Sequence, residues 1–212
     1  MFAVNTYEEI IKNERRLNER HIIILLFVRP SLIGAEKIIA EFNYLHYNSG
    51  KFCSIYAVGY TNGESEWSYA DYQAIDGVDG LNWYYSDQAF VDFKDKLENR
   101  LKWKYSGEIE LIVLQSNPEG RDILNFENYL VLDVNHGIKN GYVESFPRLM
   151  ESLLRTSRKE VEVTQTSRSL QKSKYKLTEI VLVAINDCKK VPQPVKRIIK
   201  DRLFYRTSKS YS

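Results

Sequence analysis

Residues that carry covalent or metal chemistry are scarce in this chain of 212 residues, which has two cysteines and three histidines. Cys53 and Cys188 lie far apart, one in an apolar run and one on the apolar side of a helical pattern. This favours two buried thiols in a reducing compartment, with a long-range disulfide or a reactive thiol as the alternative. The histidines have no metal-ligand spacing, so we expect no metal and no cofactor.

Long apolar runs are also absent. The longest, over residues 22–28, has seven residues, far fewer than the ~20 that a membrane-spanning helix needs. The first residues turn acidic at once and do not form a basic start followed by an apolar stretch, so no signal peptide is predicted. We therefore expect a cytoplasmic protein with no membrane partner.

What the chain does have is a regular alternation of helical and strand patterns over its first 156 residues. The predicted helices cover 6–17, 35–47, 87–102 and 146–154, and the predicted strands cover 21–28, 52–58, 108–115 and 129–134. Thr6 and Glu9 form a capping box, and Ser86 is a predicted N-cap. The apolar strands are typical of a sheet that is covered on both faces. We expect turns at 117–120 and 135–141 and an irregular segment over 67–86.

The order helix, strand, helix, strand, helix, strand, strand, helix resembles the thioredoxin-like fold. The resemblance implies an α/β domain with a mixed sheet flanked by helices. That family's CxxC motif would fall near residues 29–32, where this chain has Arg29, Pro30, Ser31 and Leu32. The proline that the family places before its next strand has no counterpart within 104–108. Dithiol redox chemistry is therefore argued against, and we lean towards a protein that is not an enzyme.

Charge divides the chain into two parts. The net charge is −8 over residues 1–147 and +10 over residues 148–212. We divide the chain into an α/β domain (1–156), a polar linker or exposed helix (157–176) and a basic helical extension (177–212). The extension either contacts nucleic-acid phosphates, or docks on the acidic domain or a partner, or faces solvent. The candidate nucleic-acid contacts are Lys189, Lys190, Lys196, Arg197, Lys200, Arg202 and Arg206.

Aromatic residues make up 13% of the chain, and many lie between positions 60 and 85. Clustered tyrosines and tryptophans often mark protein interfaces. The alternative is that these rings cover the edge of the sheet and form a small second core. The candidate partner contacts are Trp67, Tyr69, Tyr72, Trp83, Tyr84 and Tyr85.

The turn after the first strand is a candidate anion site. Ser31 is predicted at a helix N-terminus, where free backbone N–H groups attract anions, and Arg29 would add a positive charge. The alternative is that Ser31 is a plain N-cap. His136 follows a strand with Asp133 nearby, which is typical either of an oriented general base or of a polar turn.

These patterns favour a non-catalytic interaction module. We expect it to bind a protein partner, or to form a homo-oligomer, through the aromatic segment and the turn that replaces the family's active site. A nucleic-acid-binding protein that uses the basic extension is the alternative. A third hypothesis is an enzyme that acts on a phosphorylated small molecule, with Arg29, Ser31 and His136 near its site.

Overall fold

The computed structural model describes residues 1–50, 52–63, 69–166 and 177–188. The strands are β1 (Phe2–Val4), β2 (Ile22–Phe27), β3 (Cys53–Val58), β4 (Tyr60–Thr61), β5 (Gln73–Val78), β6 (Leu81–Tyr85), β7 (Glu110–Ser116) and β8 (Leu124–Asp133). The helices are α1 (Tyr7–Leu17), α2 (Ala35–Ile39), α3 (Phe42–Asn48), α4 (Asp87–Glu98), α5 (Val134–Lys139), α6 (Phe146–Thr166) and α7 (Leu177–Cys188).

The main sheet has five strands in the order β1-β3-β2-β7-β8. β1 and β2 run parallel to β3, while β7 runs antiparallel to both β2 and β8. Every residue of β2 and β3 is buried, as their continuous apolar runs predict. Helices flank this mixed sheet, which is compatible with a thioredoxin-like α/β fold. The predicted fold class is confirmed.

Both predicted helix caps are present. The Thr6 side chain accepts a hydrogen bond from the Glu9 N–H at 3.4 Å, and the Glu9 carboxylate accepts one from the Asn5 N–H at 3.1 Å. The Ser86 hydroxyl accepts one from the Ala89 N–H at 3.0 Å. These side chains satisfy N–H groups that have no partner within the helix, so α1 and α4 begin where the sequence predicts.

A second, three-stranded sheet in the order β4-β6-β5 occupies much of the segment that we predicted to be irregular. β5 and β6 form a hairpin whose two turn residues, Asp79 and Gly80, have positive φ angles of 55° and 72°. A two-residue turn of this kind matches the right-handed twist of the paired strands. The prediction of irregular structure over 73–85 is therefore wrong, and the Asp-Gly pair was the signal for the hairpin.

Two further local predictions are corrected. The helix predicted over 35–47 is two helices, because the Glu41 N–H donates to the Ile38 carbonyl, only three residues back, and interrupts the α-helical pattern. The turns predicted over 135–141 are mostly the short helix α5. Asp133 caps α5 by accepting a hydrogen bond from the His136 N–H at 2.8 Å.

The C-terminal part of the described chain packs on the domain. α6 continues through Thr166, so residues 157–166 are helical and the proposed boundary at 156 lies within one helix. One side of α7 belongs to the same core as the sheet, with Leu177, Val181 and Ala184 all buried. The rest of the predicted linker and the second basic helix lie outside the described residues. In the part of the chain that the structure describes, no helix has the length and apolar character to cross a membrane.

Candidate functional site

The candidate site lies at the end of the main sheet where β2 and β8 finish and β7 begins. Phe27, Glu110 and Asp133 lie side by side there in the strand register. The loop after β2 (residues 28–34), the first turn of α4, the segment before β7 and α5 all meet at this end. We call it the Arg29 end. It includes residues 29–32, where the resemblance to the thioredoxin-like fold would place a CxxC motif.

An ion pair dominates the Arg29 end. The Arg29 guanidinium donates two hydrogen bonds to the Asp87 carboxylate, from Nε at 3.0 Å and from Nη2 at 2.6 Å. The Tyr85 hydroxyl donates a third to Asp87 at 2.6 Å. The hydrogen bonds from Arg29 hold the pKa of Asp87 below its ordinary value, and burial is the main reason that the pKa of Tyr85 is raised. This bidentate pair occupies the Nε and Nη2 edge of the guanidinium and supplies Arg29 with an internal counter-charge.

The helix N-terminus predicted at Ser31 is not formed there. Arg29 already has an internal anion, and Ser31 is an exposed turn residue rather than a helix cap. α2 begins only at Ala35, and its N-cap is Gly34, which has a φ of 85°. A five-residue helix has few aligned peptide dipoles, and Ser31 lies before it. Ser31 is therefore not the N-cap of a helix, and anion binding by Arg29 and Ser31 stays a prediction.

A cluster of aromatic rings lies next to Arg29. Nine rings form a connected set with centroids 4.9–6.4 Å apart: Phe27, Phe42, Tyr60, Trp83, Tyr85, Phe90, Phe93, Trp103 and Tyr105. Arg29 lies 5.8 Å from the centre of the Phe90 ring. Tilted and edge-to-face packing of this kind fills a core with favourable ring geometry.

Two of the residues predicted to contact a partner belong to this cluster. Trp83 and Tyr85 are each only 3% exposed, so their rings face the interior and the prediction is corrected for them. They belong to the same core as the main sheet, so the alternative is right that the rings are packed inside but not that they form a separate core. β6 places both on the same face because alternate residues of a strand point to the same side.

The other predicted contacts have different surroundings. Tyr69 and Tyr72 are half-buried and pack against each other edge to face at 6.2 Å. The Tyr72 hydroxyl accepts a hydrogen bond from Asn5 at 2.8 Å, and Tyr84 is half-buried on β6. These three keep a solvent-facing part. Trp67 lies outside the described residues, as do all seven candidate nucleic-acid contacts from Lys189 to Arg206.

Glu110 is the buried carboxylate of the Arg29 end, at 4% exposure. One oxygen accepts from the Trp103 indole N–H at 2.9 Å, and the other accepts from the Ser106 N–H at 3.3 Å. Burial raises the pKa of Glu110, although these hydrogen bonds oppose the shift. A raised carboxyl pKa suits a general acid, but both oxygens are already bonded and covered, so Glu110 has no open side towards a substrate.

His136 has no catalytic geometry. The Asp133 carboxylate bonds the backbone N–H of His136 as a helix cap. The imidazole instead lies near the Tyr142 ring, with centroids 6.4 Å apart. Among the described residues, no Ser, Thr or Cys side chain at the Arg29 end is hydrogen-bonded to a histidine. The arrangement that general-base catalysis requires is therefore not present there.

One Ser–His–carboxylate group does exist, at the opposite end of the sheet. The Nε2 atom of His21 lies 2.9 Å from the Ser54 hydroxyl and 3.1 Å from Glu14, and Tyr56 donates to Glu14 at 2.6 Å. In a catalytic triad the carboxylate orients the histidine through its other ring nitrogen. Here both partners share Nε2, and all four residues are at most 5% exposed. This cluster joins α1 to β2 and β3 and has no access for a substrate.

Cys53 is buried completely, and burial raises the pKa of its thiol to about 12. The thiol therefore remains protonated and unreactive at neutral pH, as the sequence predicts for a structural cysteine. The side chain of Cys188 lies outside the described residues.

The Arg29 end also carries an exposed apolar side chain, which is not among the contacts predicted from the sequence. Ile33 is 95% exposed. Two backbone hydrogen bonds fix its loop, from Leu32 N to Arg29 O at 3.0 Å and from Ala35 N to Leu32 O at 3.1 Å. On α5, at the same end, Ile138 is 39% exposed. Leu32 packs against the core, so the loop holds Leu32 inward and Ile33 outward.

No protein-family model, curated protein or solved structure matches this chain. Its function must therefore be inferred from its own residues. At the Arg29 end those residues are an ion pair, a packed aromatic cluster and an exposed isoleucine.

Proposed function

We propose that the chain is a non-catalytic interaction module that binds a protein partner, or a second copy of itself, through the Arg29 end. The observation that carries this proposal is the position of Ile33. Its loop is held by two turns, so little conformational freedom is lost when the side chain enters a partner's pocket. Isolated exposed apolar side chains are common on protein surfaces, but this one stands on an ordered loop at the position of the family's active site.

The surroundings of Ile33 support the same function. Arg29 and Asp87 are each partly exposed, with side-chain exposures of 33% and 49%. An apolar centre with a polar, partly solvated rim is the usual composition of a protein interface. Tyr69 and Tyr72 are half-buried. Asp71, which lies between them in the sequence, accepts a hydrogen bond from the Gln88 N–H at 3.0 Å, so this segment lies next to the first turn of α4.

The test is the variant Ile33→Asp. A charge at the centre of an apolar contact should abolish binding, whereas Val183→Asp changes another exposed residue, at 48% exposure on α7, and serves as the matched control. Self-association is measured by sedimentation velocity. Partner binding is measured by comparing the proteins that the full-length wild type, Ile33→Asp and Val183→Asp retain.

Loss of self-association, or of specific retained proteins, with Ile33→Asp alone is the expected result. Identical behaviour of all three chains would contradict the proposal. Because Ile33 is almost fully exposed, both variants should unfold within about 0.5 kcal/mol of wild type, so a loss of binding is not a loss of fold.

The charge division of the sequence favours a second candidate function, nucleic-acid binding by the basic C-terminal residues. Deleting residues 189–212 removes eight lysines and arginines and one aspartate while keeping all the described residues. Wild type should bind heparin and duplex DNA with an affinity that falls steeply with salt. For DNA, the slope of log binding constant against log salt concentration should be about −0.9 for each phosphate contacted. The deletion should abolish this binding. Retention that is unchanged by salt or by the deletion would exclude this function.

A further inference from the structure

A polar cleft of about 570 Å³ lies away from the Arg29 end. It is bounded by the residues that follow α4, by the loop between β7 and β8, and by the first residues of β8. The β7–β8 loop is at the end of the sheet where β2 begins, because Gln115 pairs with Ile22. A cleft of this volume is in the range that holds a small molecule.

The strand register builds one wall of the cleft. Leu114 pairs with Tyr129 and Ser116 with Leu124, so two steps along β7 correspond to five steps along β8. The extra residues of β8 leave the regular ladder and present Asn125, Phe126 and Glu127 to the cleft. Bulges of this kind redirect side chains and are frequent beside binding sites.

The loop that forms the second wall is held in place by its backbone. The Asn117 N–H donates to the Ile123 carbonyl at 2.7 Å, and the Gly120 N–H donates to the Asn117 carbonyl at 3.0 Å. These bonds close the turn and hold Asn117, Arg121 and Asp122 at the cleft.

Charges of both signs line the cleft without pairing with one another. Arg100 and Arg121 are positive, and Asp122 and Glu127 are negative. In the part of the chain that the structure describes, none of the four takes part in an ion pair within 4.0 Å. Arg29, by contrast, is paired with Asp87 through two hydrogen bonds. The cleft therefore offers two cations and two anions to whatever enters it.

Arg100 is also preorganised. Its guanidinium lies 4.5 Å from the centre of the Tyr7 ring, and Tyr7 stacks on Phe126 with centroids 6.0 Å apart. Tyr7 is only 8% exposed, so the stack rests on a buried ring. Because the guanidinium already rests against this ring, it loses less freedom when it binds a carboxylate.

We propose that this cleft binds a small zwitterion of the amino-acid or short-peptide class. The arginines would hold its carboxylate, and Asp122 with Glu127 would hold its ammonium group. The neighbouring amides of Asn99, Asn117 and Asn125 provide further hydrogen bonds. Leu124 and Phe126 provide an apolar surface for the side group.

The ligand test uses three probes that differ only in their charged groups. L-phenylalanine carries both charges, 3-phenylpropanoate carries only the carboxylate, and phenethylamine carries only the ammonium group. Binding to the full chain is measured by calorimetry and by NMR shift titration. We expect L-phenylalanine to bind at least about tenfold more tightly than either single-charge probe, because each charge-assisted contact that is lost costs about that factor.

Two double variants assign the roles. Arg100→Gln with Arg121→Gln should weaken both L-phenylalanine and 3-phenylpropanoate about tenfold or more. Asp122→Asn with Glu127→Gln should weaken L-phenylalanine and leave 3-phenylpropanoate unchanged. The controls are Lys102→Gln, just beyond Arg100, and Glu119→Gln, in the same β7–β8 loop. Both are exposed, carry matching charges and do not line the cleft.

Absence of binding by all three probes, or equal binding of L-phenylalanine and 3-phenylpropanoate, would overturn the proposal. A loss of affinity in the control variants equal to that in the cleft variants would also overturn it, because the effect would then be one of overall charge. Ile33→Asp should not change binding at the cleft, so the result is separable from the function proposed for the Arg29 end.

Discussion

The Arg29 end and the polar cleft each bring arginine and carboxylate side chains together, with opposite results. At the Arg29 end the charges pair with each other, as Arg29 and Asp87 share two hydrogen bonds. In the cleft, Arg100, Arg121 and their carboxylate neighbours line a common space without forming ion pairs among the described residues. An arginine in a sequence is therefore a good candidate for a binding site only where the fold does not pair it with a carboxylate of the same chain.

The two regions are linked by α4. Asp87 is the first residue of this helix, and Arg100 lies two residues beyond its last residue, Glu98. A shift of α4 would open the ion pair at one end and move a wall of the cleft at the other. The difference between the Arg29 end and the polar cleft can therefore be tested first by a substitution that displaces α4. It can then be tested by substitutions that remove single charges at the Arg29 end.

Gly59→Ala should have the largest effect, because it moves α4. Gly59 has a φ of 83°, and a Cβ there would lie 2.8 Å from the Cβ of Phe90. Left-handed strain and overpacking against the helix backbone together should lower the free energy of unfolding by about 3 kcal/mol. Urea unfolding measures this loss. The variant should also weaken L-phenylalanine binding at the cleft.

Gly80→Ala is the matched control for that variant. Gly80 also has a positive φ, of 72°, but a Cβ there would have no neighbour within 4 Å. Only the backbone strain remains, so we expect a loss of about 1 kcal/mol. If the two variants lose the same stability, Gly59 does not set the position of α4.

The two carboxylates of the Arg29 end should respond to pH with opposite signs, and these effects are smaller. The pKa of Asp87 is lowered, so its contribution to stability is present above its unfolded pKa and is lost as pH falls through the folded value. The pKa of Glu110 is raised, so its contribution is present at low pH and is lost as pH rises through the folded value.

Unfolding measured from pH 3 to pH 8 should therefore separate Asp87→Asn from Glu110→Gln. As the pH falls, the free energy of unfolding of wild type should decrease relative to that of Asp87→Asn. The decrease should be less than about 1 kcal/mol, because the Arg29–Asp87 pair is partly exposed. Relative to Glu110→Gln, wild type should lose stability as pH rises above about 4.5. Parallel curves for wild type and both variants would contradict this account of the Arg29 end.

Much of the fold was predictable because its signals are local. The buried runs of β2 and β3 and the caps at Thr6 and Ser86 depend only on neighbouring residues, and the structure confirms them. The hairpin at Asp79 and Gly80 was equally local and was missed. The crowded tyrosines and tryptophans around it are compatible both with a contact surface and with a packed core, so they do not indicate the hairpin.

The candidate site was not predictable in the same way. Arg29 is 58 positions from Asp87 along the chain, and nothing near either residue indicates the pairing. The same holds for Trp83, whose burial depends on contact with Phe42, from a different element of the fold. The cleft depends on a register shift between two strands, which no local pattern specifies.

The α/β architecture, the positions of most helices and strands, and the absence of a CxxC motif can be read from the residues alone. Those properties follow from apolar periodicity, capping residues and the residue types that are absent. Which arginine is paired with a carboxylate, which aromatic rings are buried and which isoleucine is exposed become visible only in the folded chain. These depend on strand pairing and helix packing between distant segments, where an ion pair or a ring contact forms only after the fold has brought its partners together.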